Sequence, residues 1–290
     1  MERRSIERGV YATIILGLLS WQIIRWTSPY FSGAKMINPI LAQIAGWKIH
    51  WYGFFMAMGV LIAWRWLTIK TRGTKLAEAD RITDLVIWLT LGGIIGARLL
   101  FVFLKWPEFA GDWGAILNLT EGGLSIHGAI IGGGLATFIY CRYRQWPVTA
   151  TFDLLIPPLI MGQIIGRVGN FFNQEAFGGP TNLPWKMWVA PIYRPEGYAN
   201  SAWFHPTFLY EMIGLGLILW LIFTLIKKTL SAGTITLVYL ISYSILRFEI
   251  EFFRIDSDKW GALSVAQWGS IAIIMGGLII GLILKRRRNL

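Results

Sequence analysis

The stretch GRVGNFFNQEAFGG at residues 166–179 sets an arginine, two asparagines, a glutamine and a glutamate within ten residues, directly after an apolar run. Elsewhere Arg98, His127, Tyr243, Arg247 and Glu251 lie inside apolar runs, where an ionisable side chain is costly and ordinarily faces a cavity or a partner. Arginine clusters bind phosphate through forked, charge-assisted hydrogen bonds. A histidine supplies a general base whose ordinary pKa is about 6.5. No serine–histidine–aspartate order and no HExxH motif accompanies them. The set therefore suits chemistry on a phosphate-bearing molecule, with the nucleophile brought by a second substrate.

The elements that must carry these residues are apolar. Of 290 residues, 55% are hydrophobic and only 15% charged, with a mean hydropathy of +0.53. A soluble domain of this size carries about 25% charged residues, so the chain reads as an integral membrane protein. The net charge of +11 is dispersed through short gaps and ends in KRRR at 285–288. That is the pattern of loops facing anionic headgroups and argues against nucleic acid as a partner. Cys141 is the sole cysteine, which excludes an intramolecular disulfide. The three histidines have no spacing that suits a structural metal, so no metal and no cofactor are expected.

Spans of about 17–25 apolar residues cross a bilayer as helices. Eight candidates follow: 10–26, 52–69, 83–104, 124–141, 150–165, 207–226, 234–253 and 263–284. The expected fold class is thus all-α and polytopic. Pro157 and Pro158 interrupt the fifth candidate and make it the weakest. The first follows Arg3, Arg4 and Arg8 but lacks a small-residue cleavage site, so it reads as a retained helix. With the N-terminus inside, the cytoplasmic pieces hold fifteen Lys and Arg and the outer loops eight, which puts both termini in the cytoplasm. The loop 166–206 then lies on the outer face.

On this map Tyr52, Arg98, His127, Arg167 and the face shared by Tyr243, Arg247 and Glu251 at four-residue spacing all fall in the outer half of the membrane. A cavity open to the outer leaflet is expected there. Each residue also has a plainer reading. Arg247 and Glu251 form an ion pair that fixes helix packing, Arg98 snorkels, and His127 is a satisfied helix-end histidine. Gly128, Gly132, Gly133 and Gly134 serve close helix contact, and Trp21, Trp26, Trp47 and Trp51 an interfacial belt.

The same residues carry a family resemblance. GRVGNFFNQEAFG (166–178) is similar to the signature GRxGNFxNxExxG of the prolipoprotein diacylglyceryl transferases at every fixed position. HWYG (50–53), GGLSIHGAIIGG (122–133), HPTFLYE (205–211) and YSILRFEIEFFR (243–254) follow the family's motifs in order. The resemblance implies a seven-helix core over 50–290, preceded by an extra N-terminal helix and outer-face loop over 1–49. It also implies residence in the bacterial cytoplasmic (inner) membrane, with the site toward the outer face.

The implied reaction moves the diacylglyceryl group of phosphatidylglycerol to the lipobox cysteine thiol of a preprolipoprotein signal peptide. A thioether forms and glycerol phosphate leaves. These residues carry over by motif position, and on chemical grounds Arg167 is expected to grip the phosphate as the C–O bond breaks, with Arg247, held by Glu251, assisting. His127 takes the thiol proton. Asn170, Tyr52, Tyr243 and Arg98 bind or orient phosphatidylglycerol, while Glu175, Gly178 and Glu211 shape or support the loop. The chain departs from the family pattern at Phe204, where an arginine is usual, and at Ala97 in GAR (96–98), where a second glycine is common. A rival reading from another class is a membrane transporter or lipid scramblase with an outer-facing anionic-lipid site.

Overall fold

The computed structural model describes residues 25, 27–44, 46–74, 81–119 and 122–288. In chain order they form β1 (Ile40–Ile44), β2 (Trp47–His50), α1 (Trp51–Lys70), α2 (Arg81–Leu104), α3 (Trp106–Phe109) and α4 (Trp113–Leu117). Next come α5 (Ile126–Arg144), α6 (Val148–Asn173), β3 (Met187–Trp188), β4 (Trp203–Phe204) and α7 (Thr207–Leu225). The chain closes with α8 (Thr234–Glu251), β5 (Lys259–Trp260), β6 (Leu263–Ser264) and α9 (Val265–Arg288). The fold is mostly helical but not all-α. Three antiparallel two-stranded sheets, β1–β2, β3–β4 and β5–β6, occupy the segments between helices. Irregular backbone there meets its hydrogen-bonding needs by pairing.

Among the described residues, α1, α2, α6, α7 and Val265–Ile283 of α9 are long and apolar enough to cross a membrane. Leu61, Ile87, Ile95, Leu99, Leu217 and Trp220 on these helices are exposed. Apolar surface of that extent belongs against lipid rather than water. The spans expected over 124–141 and 234–253 are present as α5 and α8 but fall short of that apolarity. Four glycines and two arginines dilute α5, and α8 carries Arg247, Glu249 and Glu251. The candidate 10–26 lies, but for Arg25, outside the described residues.

The fifth candidate needs correction. Far from being broken at Pro157 and Pro158, α6 runs through both for 26 residues, the longest helix among the described residues. Proline deletes a backbone donor and crowds the preceding turn, which a buried helix tolerates when its surroundings take up the freed carbonyls. Pro157 is fully buried. The consequence is that Gly166–Asn173 is helix, and the loop expected from 166 begins only at Gln174.

The described chain divides into two compact units. The first takes the residues up to Phe54, Arg167–Ile213 and Leu246–Gly269; the second takes Phe55–Gly166, Gly214–Ile245 and Ser270 onward. In the second unit α2 and α5 meet along a glycine seam. A Cβ on Gly96 would collide with the Gly128 carbonyl, and one on Gly92 would stand 2.5 Å from the Ala136 methyl. Only hydrogen at these positions lets the two backbones close to contact. Gly133 touches the seam loosely and Gly134 faces open space. In the same unit Leu67, Leu85, Tyr140, Cys141, Trp146 and Leu155 form a buried apolar cluster.

Candidate active site

The first unit organises its polar residues around the end of α6. The helix stops at Gln174, which adopts a left-handed φ of 49°. The Gln174 amide donates to the Phe171 carbonyl at 3.2 Å and the Glu175 amide to the Asn170 carbonyl at 3.1 Å. This pair of bonds is a Schellman cap, and it brings the side chains at the third helical position from the end and just past the end together. Here they are polar: Asn170 donates to Glu175 Oε1 at 2.9 Å, and Asn173 joins at 3.2 Å. Local helix-end geometry thus delivers Glu175 to Asn170.

One turn back, Arg167 donates to Asn170 Oδ1 at 3.1 Å and to Glu211 Oε1 at 2.5 Å. Glu211, from the first turns of α7, is 1% exposed. A carboxylate so deeply buried needs charge-assisted partners, and Arg167 is one of them. The Arg167 side chain as a whole keeps 23% of its surface open. The guanidinium is held through both terminal nitrogens while the side chain stays partly open.

Phe171 of the signature and its neighbour Phe172 fasten this helix end. Phe171 stacks on Phe31 at 5.4 Å and Phe172 on Trp51 at 4.6 Å between ring centroids. Tyr52 follows Trp51 and lies over Gly169, where a Cβ would come within 2.8 Å of the tyrosine ring. Gly178 is another close approach: a Cβ there would collide with the Phe253 carbonyl, while its amide donates to the His205 carbonyl at 2.8 Å. Gly178 and Arg254 face each other in an isolated antiparallel bridge. The loop after α6 is in this way tied to the segment after α8.

On α8, Arg247 and Glu251 lie 2.7 Å apart at i and i+4. Glu251 is 6% exposed, and the approach of Arg247 to its Oε2 lacks hydrogen-bond geometry, so charge attraction holds the pair. Arg247 keeps 23% of its side chain open. Two partly open arginines, each backed by a buried glutamate, are thus the main electrostatic feature of this unit.

His205, before α7, accepts from or donates to the Tyr210 hydroxyl at 3.0 Å, and Trp185 donates to the same hydroxyl at 2.8 Å. Burial pushes the His205 pKa below the usual histidine range. Gln174 is 2% exposed and accepts the Ala190 amide at 2.8 Å. Neither contact was expected. Gln174 carried a usable signal, since it stands between fixed positions of the signature, but its left-handed backbone is not legible locally. A cavity of about 500 Å³ opens beside these residues, with His50, Asn173, Gln174, Glu175, Tyr193 and Asp256 among its walls. Arg167 and Arg247 are not among them.

The second unit carries the remaining expected residues. His127 is the second residue of α5 and is exposed. Tyr243 is stacked on Tyr239 with centroids 5.8 Å apart, and the Tyr239 hydroxyl donates to Gln163 at 3.0 Å. Arg98 departs from expectation. It is 9% exposed, and its guanidinium donates to the carbonyls of Ala115, Ile116, Gly122 and Gly123 at 2.6, 2.8, 3.0 and 2.9 Å. Four backbone acceptors occupy the fork that a lipid phosphate would need. No group of three His, Cys, Asp or Glu residues disposed to hold a metal occurs among the described residues.

The family model for prolipoprotein diacylglyceryl transferase matches residues 39–283. The phosphatidylglycerol–prolipoprotein diacylglyceryl transferase of Gloeobacter violaceus is 42% identical over 264 residues, covering 90% of this chain and 97% of its own length. The enzyme of the same name from a Synechocystis strain is 43% identical over 257 residues, covering 86% and 89%. That from Synechococcus elongatus is 39% identical over 276 residues, covering 92% and 91%.

Proposed function

The chain belongs to the prolipoprotein diacylglyceryl transferase family, and from that premise we propose that it transfers diacylglyceryl from phosphatidylglycerol to the lipobox cysteine of a preprolipoprotein. The observation that carries the reading is Arg167, fixed by Glu211 and Asn170 yet partly open. An arginine so pre-oriented needs little reorganisation when charge develops on a phosphate.

The substrate thiolate attacks the glyceryl carbon that bears the phosphate ester. The new C–S bond forms as the C–O bond breaks, and glycerol phosphate departs with the electron pair. Arg167 stabilises the charge growing on the leaving phosphate, and Arg247, held by Glu251, does the same from α8. His127 takes the thiol proton; at a free thiol pKa of about 8.5 little thiolate exists at neutral pH. Tyr52, Asn170 and Tyr243 orient the headgroup or the arginines, and Glu175 and Gly178 keep the loop after α6 in shape. No cofactor is needed, because both the nucleophile and the leaving group belong to substrates. The protein resides in the bacterial inner membrane, with this chemistry on the outer side and both termini inside. The 1–49 segment precedes a transferase core of seven helices.

Purified protein with phosphatidylglycerol and a lipobox peptide should yield a diacylglyceryl thioether and glycerol phosphate in equal amounts. Lipid or solute flux without transfer would favour the transporter or scramblase reading instead.

A further inference from the structure

We infer that Arg98 is a positioning residue, one that sets the entry of α5 and through it His127. The inference rests on the reading of His127 as base.

Arg98 sits on α2, and its guanidinium bridges two arms of one connection. One arm is the end of α4, through the Ala115 and Ile116 carbonyls. The other is Gly122 and Gly123, just before α5. The rings of Phe109 and Phe101 flank the cation at 5.1 and 5.9 Å. Adjacent to Arg98, the Ala97 carbonyl accepts the Ser125 amide at 3.0 Å. Ser125 is the N-cap of α5 and its hydroxyl accepts the Gly128 amide at 3.4 Å. His127 lies two residues past that cap. Five successive positions, from Gly122 to Ile126, therefore reach His127 from a backbone tethered at its start by Arg98 and at its cap by Ala97.

The glycines fit this arrangement. Gly122 and Gly123 have φ of 83° and 74°, and a Cβ on Gly123 would stand 2.5 Å from Arg98 Nη1. Only glycine offers both the left-handed backbone and room for the guanidinium. The arginine is specified by geometry as well as charge. Lysine projects a single point of charge and cannot span both arms. A shift of about 1 Å in a catalytic group can cost on the order of a hundredfold in rate.

Arg98→Gln, Arg98→Lys and Gly123→Ala, each alone and combined with His127→Gln, test the inference in phosphatidylglycerol proteoliposomes with a lipobox peptide. Each single variant should lose roughly 10- to 100-fold in kcat, with KM for phosphatidylglycerol within about twofold. Added to His127→Gln, each should cost little more, because both act through one group. Hydrogen exchange should quicken over residues 122–128. A raised KM with kcat intact, full rescue by lysine, losses that multiply with His127→Gln, or unchanged exchange would each overturn the inference. If Arg98→Gln does not fold, Arg98→Lys and Gly123→Ala carry the same readouts. Normal turnover by His127→Gln would remove the base reading and this inference with it. A crippled His127→Gln beside normal Arg98 and Gly123 variants would remove this inference alone.

Discussion

Arg167 and Glu211 meet at 2.5 Å across 44 positions of sequence, the glutamate side chain shut away from solvent and the arginine side chain partly open. The pair joins the last turns of α6 to the first turns of α7. Removing one partner of a buried pair strands the other, at a typical cost of about 3–5 kcal/mol. Arg167→Ala should therefore lower stability by about 3 kcal/mol, the low end because Arg167 is partly solvated, and should abolish transfer. Arg167→Lys should keep most of the stability yet lose on the order of a hundredfold in kcat, because the fork is gone. Denaturation in detergent and thioether formation read the two effects separately. Wild-type turnover by Arg167→Lys would refute the phosphate role.

The glycine seam makes opposite forecasts for two glycines on neighbouring helices. Gly96→Ala drives a methyl into the Gly128 carbonyl, whereas Gly134→Ala meets nothing within 4 Å. The first should cost roughly 1–3 kcal/mol, as overpacking does. The second should fall within about 0.5 kcal/mol of wild type. Thermal melts of the two variants in the same lipid discriminate them, and equal melting points would contradict the seam.

Asp153 holds the start of α8 from within α6. Its carboxylate accepts the Gly233 amide at 2.6 Å, the Thr236 amide at 2.8 Å and the Thr236 hydroxyl at 2.7 Å. These are cap bonds supplied by another helix, and a carboxylate there also meets the positive helix end. Asp153→Asn should destabilise by about 1–2 kcal/mol and Asp153→Ala by more. Chemical denaturation checks the order; an indifferent Asp153→Ala would deny the cap its importance.

His205 should make stability depend on pH. Burial lowers its pKa in the folded protein, so the unfolded chain binds the proton more readily. Its contribution is complete above the unfolded value of about 6.5 and is lost as pH falls through the depressed folded value. Melting temperatures of wild type should therefore drop between pH 7 and pH 5 by more than those of His205→Gln. Identical pH slopes would show that His205 does not titrate across folding.

The sequence alone made the membrane character plain, because composition and run length are summed properties that no tertiary detail reverses. It also fixed the family motifs, the residue types suited to phosphate chemistry, and the four-residue pairing of Arg247 with Glu251, which one helix sets by itself. What stayed hidden was every decision taken between distant segments. Two prolines in a row read as a break, yet α6 passes through them, and the signature became a capped helix end where a loop was expected. Glu211 read as loop support until packing brought it to Arg167. Arg98 had the right type and depth for a lipid phosphate, but four carbonyls of one connection already occupy its fork. A side chain's type states which bonds it can make. Which partners it does make depends on the backbone that folding carries close to it, and for Arg98 and the Arg167–Glu211 pair those partners lie 17 to 44 residues away.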